Sequence, residues 1–450
     1  MSDPAPSSPA AKKAERRAQI KPESQDDEDC DMMEVAHAGA VHSASVNIAG
    51  SRQVKKLLKQ DPYPSPASSS PLKQVPGDAV DSSSWNNLTN KLNVVNSSTE
   101  TRSIGKIDHE DAIEADGSLN FFWTDYTEIN GSLCLFGKVL NKKTQSYVSC
   151  FVQIDNILRK LYFLPRQQRV RDGEGTDETV GMADVYEEVD EIMTKMKVNM
   201  YKIKACTRKY AFELPDVPKE AQYMKLFYPY TKPQIDVAAG ETYSHVFGAN
   251  TALFEQFVLW KNIMGPCWLK IQDADFGAIK NASHCKLEVL AEHPNMVSPI
   301  SESDNLDAPP LTLMSVAIRT AFNAKENRQE ILAISARVYD KVSLSDTTPA
   351  EKLPCRTFTV IRPHGPSFPL GFDQLVQKRN RGLLVLKKQE VDILSFFLAQ
   401  VDVADPDVIL GHQFEGVDYS VLLSRLHEKK IHQWSRLGRL RRREWPASYR

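Results

Sequence analysis

No apolar run in these 450 residues reaches the length that crosses a bilayer, and the N-terminus carries no apolar stretch of the kind a secretory leader needs. The expectation is a soluble, intracellular protein. Net charge is nearly absent too, at −2 with a pI near 6.6. That excludes a polycation that holds nucleic acid by bulk charge, so any such binding has to come from local patches. Cysteines number seven, and none forms a CxxC pair or joins a histidine at zinc spacing. The expectation is a reducing compartment with free, mostly buried thiols and neither a disulfide framework nor a zinc module. The apolar fraction is also modest, 41% with a mean hydropathy of −0.40. Those values suit a folded body joined to a disordered part.

The disordered part is expected at residues 1–117. It is rich in Pro, Ser and charge, with an acidic run "ESQDDEDCD" and no hydrophobic periodicity. Such a segment cannot bury enough apolar area to offset its ordering entropy. Its Lys12-Lys13/Arg16-Arg17 cluster reads equally as a nuclear localisation signal and as a solvated charge cluster. The less polar stretch 32–50 is either a partner-binding peptide or an uninformative tail segment.

Residues 118–295 read as a mixed, β-rich α+β domain. Runs such as "LNFFWTDYTEI" and "GSLCLFGKVL" flank an Asn130-Gly131 turn signal. An acidic loop "RDGEGTDETVG" is expected next, then an amphipathic helix near 182–197. "VNMYKIKACTRKYAFEL" reads as two strands, and "TALFEQFVLWKNI" as a helix with apolar spacing of three and four. Within the strand pair, "YKIKACTRKY" (201–210) is basic and aromatic in alternation; a nucleic-acid surface and a half-exposed strand explain it equally well. Residues 296–310 are Pro/Ser/Asp-rich and read as a linker.

From residue 311 the order becomes diagnostic. Strands are expected at 311–320, 330–340 and 356–363, a helix near 389–402, a buried strand at 407–412 and a helix near 417–429. A β-β-β-α-β-α order is the first part of a ribonuclease-H-like layout, so 311–450 is read as an α/β domain of that kind, truncated. Nucleases of this layout use two divalent metals, which need closely spaced carboxylates. The first strand supplies two of them at positions i and i+2, which share one face.

Six stretches carry a resemblance to a known family: "GSLCLFGKV" (131–139), "CFVQIDNILRKLYFLPR" (150–166), "MGPCWLKI" (264–271), "PPLTLMSVAIRT" (309–320), "DPDVILGHQFEGVDYSVLLSRL" (405–426) and "WSRLGRLRR" (434–442). Over residues 118–442 the chain resembles the N-terminal half of family-B DNA polymerases, in particular the eukaryotic replicative members. The resemblance implies a 3′–5′ exonuclease-like domain at 311–450. Proofreading members carry Ser-Phe-Asp-Ile-Glu-Thr in their first exonuclease motif, where this chain has Ser315-Val316-Ala317-Ile318-Arg319-Thr320. The Asp position is Ala317 and the Glu position is Arg319. In the second motif Gln413 stands at the Asn position and Asp418 keeps the Asp position. One carboxylate of the first three cannot assemble a two-metal site, so the exonuclease-like domain is expected to be inactive. Asp418 is then expected to cap the following helix, and Arg319 to pair with it in place of the metals. Glu390 and Glu415 match no metal position of the family.

The resemblance further implies partners. They are DNA and an RNA–DNA primer-template, with primase and a B subunit docking through a C-terminal region beyond these residues; no membrane is expected. No cofactor is expected in this chain, and Mg2+ is expected for the full-length polymerase, whose palm aspartates would lie further on. Near residue 450 the cations Lys429, Lys430, Arg436, Arg439, Arg441, Arg442 and Arg443 gather beside Trp434 and Trp445. This patch is either a track for a phosphate backbone with stacking aromatics or a solvated, internally paired stretch. Three functions stay in view: the N-terminal portion of a nuclear replicative polymerase, a non-catalytic DNA-binding scaffold, and a 3′–5′ exonuclease. "VAIR" in place of "DIE" argues against the last.

Overall fold

A computed structural model describes residues 106–236, 238–300, 306–379 and 382–446, together with Pro22–Glu23. The expected disorder, the localisation signal and the 32–50 peptide lie outside the described residues. The folded body starts earlier than residue 118. Ile107 donates its backbone N–H to Lys286, Lys106 pairs with Glu288, and a short 3-10 turn spans His109–Asp111. Charge-rich residues 106–117 are ordered because their few apolar members, Ala112 above all, are buried.

The first domain is two large sheets and a separate two-stranded hairpin. Strands β1 (Leu119–Ile129), β2 (Ser132–Asn141) and β3 (Ser146–Ile154) form a meander. Its first turn is Asn130-Gly131, both at positive φ, as a two-residue hairpin requires. The second sheet takes β4 (Leu158–Pro165). The expected acidic loop is instead a hairpin of β5 (Gln168–Arg171) and β6 (Glu174–Thr179), turned by Asp172-Gly173 with both φ positive. An Asp-Gly pair turns a hairpin well, whatever charge its strands carry. Helix α1 (Met182–Lys195) packs Val185, Val189 and Met193 onto the second sheet. Of the two strands expected between 198 and 214 only β7 (Lys202–Lys209) forms; β8 (Glu220–Pro229) and β9 (Tyr243–Phe247) complete that sheet. Pro215 and Pro218, which cannot donate to a ladder, lie in the stretch where pairing stops.

Helix α2 (Leu253–Lys261) covers the first sheet, which adds β10 (Trp268–Ile271), β11 (Leu287–Ala291) and β12 (Val297–Pro299). The sheet orders are β11–β3–β2–β1–β10–β12 and β7–β8–β4–β9, the latter with the two-residue strand Pro22–Glu23 paired parallel to the outer edge of β7. The expected linker 296–310 therefore begins as a strand. Val297–Pro299 pairs with β10, and its backbone rather than its loop-like composition decides this.

The second domain follows the expected order of elements, but the strand expected to be buried at 407–412 is not: Val408 and Leu410 are exposed. A long hairpin of β13 (Leu311–Asn323) and β14 (Arg328–Val342) is extended by β15 (Arg356–Ile361). A short helix α3 (Phe372–Gln377) and strand β16 (Leu383–Leu386) follow. Next come helix α4 (Glu390–Ala404), strand β17 (Val408–Leu410), a π-helical turn Phe414–Asp418, helix α5 (Tyr419–Glu428) and a 3-10 segment His432–Leu437. The sheet order is β16–β15–β14–β13–β17, with β13 parallel to β17. Helices α4 and α5 bury Ile393, Leu394, Phe397, Leu398, Val401, Leu422, Leu423 and Leu426 against one side of it. No helix among the described residues is long and apolar enough to cross a membrane.

Candidate functional site: a metal-site strand and the seam beneath it

Alternation along β13 decides what its first motif can do. Met314, Val316 and Ile318 point into the core under α4 and α5, leaving Ser315, Ala317 and Arg319 on the other face. Ala317 and Arg319 are both exposed. They sit two apart on one face, where a pair of metal-binding carboxylates would have to be, but a methyl group and a guanidinium offer no oxygen to a hard cation. Across the ladder their partners are Ser335 and Ala333, which add no charge.

The second motif lies at the end of β17. Gly411 passes so close to β13 that a Cβ there would sit 2.6 Å from the carbonyl oxygen of Val316, a contact only glycine permits. Gln413 follows in the left-handed region (φ 50) and opens the π-helical turn. Asp418 does not cap a helix. Its backbone is already helical (φ −63, ψ −40), and its carboxylate makes no capping hydrogen bond. The helical path begins four residues earlier, at Phe414, so Asp418 is an interior position rather than a boundary. Nor does Arg319 pair with Asp418; the structure forms no ion pair between them. Arg319 stands in solvent, where a guanidinium keeps its hydration and needs no partner. No group of three or more His, Cys, Asp or Glu that could hold a metal occurs among the described residues. The four motif positions do not fit the two-metal centre that the layout otherwise allows.

The charge that does organise this domain lies beneath the strand. A β-bulge follows Arg319: it faces Ala333, while Thr320 faces Ile331. The bulge turns the Ile331 N–H toward the helices, and Glu390 Oε1 accepts it at 2.7 Å. Glu390, the first residue of α4, is 5% exposed and grips Arg425 of α5, itself 1% exposed, through Nε at 2.8 Å and through Nη2. Arg425 also contacts Glu428, which takes Arg328 Nη1 at 2.9 Å. On the other side of the bulge Arg362 holds the Ile331 carbonyl at 2.8 Å and Glu330 at 2.8 Å. The hydrogen bond that Arg425 donates to Glu390 raises the Arg425 pKa further; the Asn323 amide, then Arg362, lower that of Glu330. Sequence reading sets Glu390 aside because it matches no metal position. A charge inside an apolar stripe (Arg425 among Leu422, Leu423 and Leu426) is the signal that could have found the pair.

A second buried network ties the two domains together. Lys138 of β2 reaches Asp407 at 2.6 Å with both side chains 5% exposed, and also donates to the Pro310 carbonyl at 2.8 Å. Asp407 accepts the Thr312 N–H at 2.7 Å, which fixes the entry of β13. Ser149 donates to Asp405 at 2.6 Å. Arg439 closes the cluster on Asp405 and Asp407, and Arg441 donates to the Ser283 carbonyl at 2.7 Å. His284, hydrogen-bonded to Ser435 at 3.2 Å, lies among these cations. Burial, then Arg441, Arg436 and Arg439, pull its pKa down to about 3. Along the seam runs a cleft of about 420 Å3, lined by Tyr126, Asp402, Tyr419, Arg436 and Arg442 among others.

The expected C-terminal cation patch is thus divided. Lys429 pairs with Glu390 and Arg436 with Asp402, each at 3.7 Å, while Arg439 and Arg441 belong to the seam. Lys430 and Arg442 are exposed and Arg443 is half-buried. Trp434 and Trp445 stack on one another with centroids 4.7 Å apart, so their faces serve each other first.

Residues 244–448 match the family model for the exonuclease domain of DNA polymerase family B. A DNA polymerase alpha catalytic subunit of Saccharomyces cerevisiae is 39% identical over 349 residues, 76% of this chain. The DNA polymerase alpha catalytic subunit of Xenopus laevis is 36% identical over 342 residues, 74% of this chain. The chain spans 23% of the length of each of these relatives. A solved family B DNA polymerase from the archaeon Pyrobaculum calidifontis covers 70% of this chain at 13% identity with a TM-score of 0.42; the chain covers 33% of that structure.

Proposed function

We propose, for a chain that belongs to DNA polymerase family B through its exonuclease domain, that these residues are the N-terminal and exonuclease-like portion of a polymerase alpha catalytic subunit. In full length such an enzyme would extend primase-made RNA primers with dNTPs at the start of replication, in the nucleus, beside primase and a B subunit. Mg2+ would serve the polymerase centre of that longer protein. The observation that supports an inactive exonuclease-like domain is the pair Ala317 and Arg319, side by side on the exposed face of β13. A hydroxide-generating metal pair needs carboxylates at those positions, and a guanidinium there repels the metals themselves.

The part these residues play is then scaffolding. The seam of Lys138, Asp405, Asp407 and Arg439 holds the two domains as one body, against which DNA and a primer-template would be positioned. Lys430 and Arg442 are the exposed cations of the original patch best placed for a phosphate backbone, and Lys429, Arg436, Arg439 and Arg441 are committed within the chain. The test is a pair of assays on these 450 residues with Mg2+: digestion of a 3′-labelled single strand and extension of a primed template. Neither activity is expected. Shortening of the 3′ end would overturn the reading of β13, and nucleotide incorporation would overturn the assignment of the polymerase centre to residues outside this chain.

A further inference from the structure

Strand β14 ends at Val342 and β15 begins at Arg356. Between them, residues 343–352 are exposed throughout, Leu344 included. The loop carries Asp346-Thr347-Thr348-Pro349, a stretch that is neither helix, strand nor turn. Pro349 fixes its own φ and pushes Thr348 into the extended region. An exposed, extended hydroxyl followed by proline suits an enzyme groove that has no acceptor for a backbone N–H at the next position. Among the described residues one other hydroxyl precedes a proline, Ser298 before Pro299, and it does not suit such a groove. Ser298 lies in β12, paired with Lys270 of β10, and the ladder would have to open before an enzyme could take it.

The loop and the strand that feeds it decide where a phosphate on Thr348 would go. Asp346 accepts the Thr348 hydroxyl and, at 2.8 Å, its N–H, and these bonds hold the Asp346 carboxyl below the usual carboxylate range. Phosphorylation replaces that hydroxyl by a group of nearly two negative charges, so the contact with Asp346 becomes repulsive. Cations stand on β14. Val338 points into the core, which leaves Arg337 and Lys341 on the opposite face. Both are exposed, and neither has an acidic partner among the described residues. Arg356, at the far end of the loop, is already held by Asp340 at 2.6 and 2.9 Å. At ~3.3 Å per residue the path from Val342 to Thr348 spans up to ~20 Å. Arg337 lies ~17 Å back along β14. A loop that folds back on its own strand therefore reaches both cations.

We propose that Thr348 is a phosphorylation site for an ATP-dependent, proline-directed protein kinase, and that Arg337 and Lys341 receive its phosphate. The loop is then laid over the face of β13 and β14 that carries Ser315 and Ala317. In the transfer, Thr348 Oγ1 bonds to the γ-phosphorus of ATP and the bond from that phosphorus to its bridging oxygen breaks. ADP leaves, and the hydroxyl proton passes to a base of the kinase. Arg337 offers the phosphate a planar pair of donors and Lys341 a point charge. The modification gives the strand of the first motif a cover that the unmodified loop does not supply.

The test treats the whole chain with a purified proline-directed kinase and ATP and maps the phosphate by mass spectrometry. Phosphate is expected on Thr348 and not on Ser298; Ser8, Ser65 and Ser70, which also precede prolines, are resolved by peptide mapping. An unmodified Thr348 in the chain, under conditions where a synthetic 343–355 peptide takes phosphate, overturns the proposal. Hydrogen exchange reads the contact with β14. Amides of 343–352 should exchange about tenfold more slowly in the phosphorylated chain. R337Q with K341Q should abolish that slowing and leave α4 unchanged, since both side chains are exposed and the core does not use them. Equal slowing in the double variant, or none in the wild type, overturns the assignment of the phosphate to Arg337 and Lys341.

Discussion

Glu390 and Arg425 hold each other through two contacts beneath the bulge that follows Arg319, one at the start of α4 and the other on α5. The same carboxylate accepts the N–H that the bulge strands at Ile331. One buried ion pair thus fastens two helices and a ladder irregularity.

Removing one partner should therefore cost far more than removing both. Arg425→Met leaves a buried carboxylate facing only Lys429 and the Ile331 N–H, and a loss of about 3–5 kcal/mol is expected. Glu390→Gln with Arg425→Met should lie well short of the sum of the single changes. Urea denaturation of all four chains gives the coupling energy; additive losses would show that the pair is not a unit.

Lys138→Met tests the seam. Asp407 keeps Arg439 at 3.2 Å and the Thr312 N–H, so the expected loss is smaller, about 1–3 kcal/mol. Because both side chains are 5% exposed, salt should screen the wild-type pair little. Thermal unfolding at 0.05 and 0.5 M NaCl checks this: a difference between wild type and variant that collapses in salt contradicts a buried contact.

His284 gives the seam a pH dependence of definite sign. The folded ring, with its pKa pulled down to about 3 from an ordinary 6.5, stays neutral where the unfolded ring takes a proton. Its contribution is whole above pH 6.5 and is lost progressively as pH falls toward 3. At pH 5 the loss is about 2 kcal/mol. His284→Gln should flatten the stability profile between pH 7 and 5 by that amount in denaturant titrations.

Restoring carboxylates at the first motif should restore ion binding before chemistry. Ala317→Asp with Arg319→Glu sets two carboxylates two apart on an exposed face, and calorimetry should detect Mn2+ that the wild type does not take up. Exonuclease activity is not expected to follow, because Gln413 still stands in the second motif. Degradation of a 3′ end by this double variant would mean that the two restored carboxylates and Asp418 suffice without an Asn at position 413.

Gly411→Ala places a methyl 2.6 Å from the Val316 carbonyl oxygen, a backbone clash that must push β17 off β13. About 1–3 kcal/mol of stability should go with it, measured as a lowered urea midpoint at unchanged slope.

Sequence patterning revealed the second domain well, because β13, β14 and α4 announce themselves through alternation and helical spacing, and their order is restrictive. The motif positions were legible for the same reason: i and i+2 on a strand share a face wherever the strand goes. What stayed hidden was long-range. Lys138 and Asp407 are 269 positions apart along the chain (407 − 138), and nothing local to either marks it as half of an ion pair. Asp418 was misplaced because a π-helical turn has no local signature that separates it from a loop. The Arg319 partner was inferred from motif position alone, and motif position says nothing about where an exposed guanidinium will rest.

The bulge beneath Arg319 has an evolutionary corollary. Its N–H is satisfied from the helix side, by Glu390, and owes nothing to whatever occupies the opposite face. Substitution at Ala317 or Arg319 therefore meets no folding penalty from below. Carboxylates at these two positions could be lost one at a time, in either order, with each intermediate still folded.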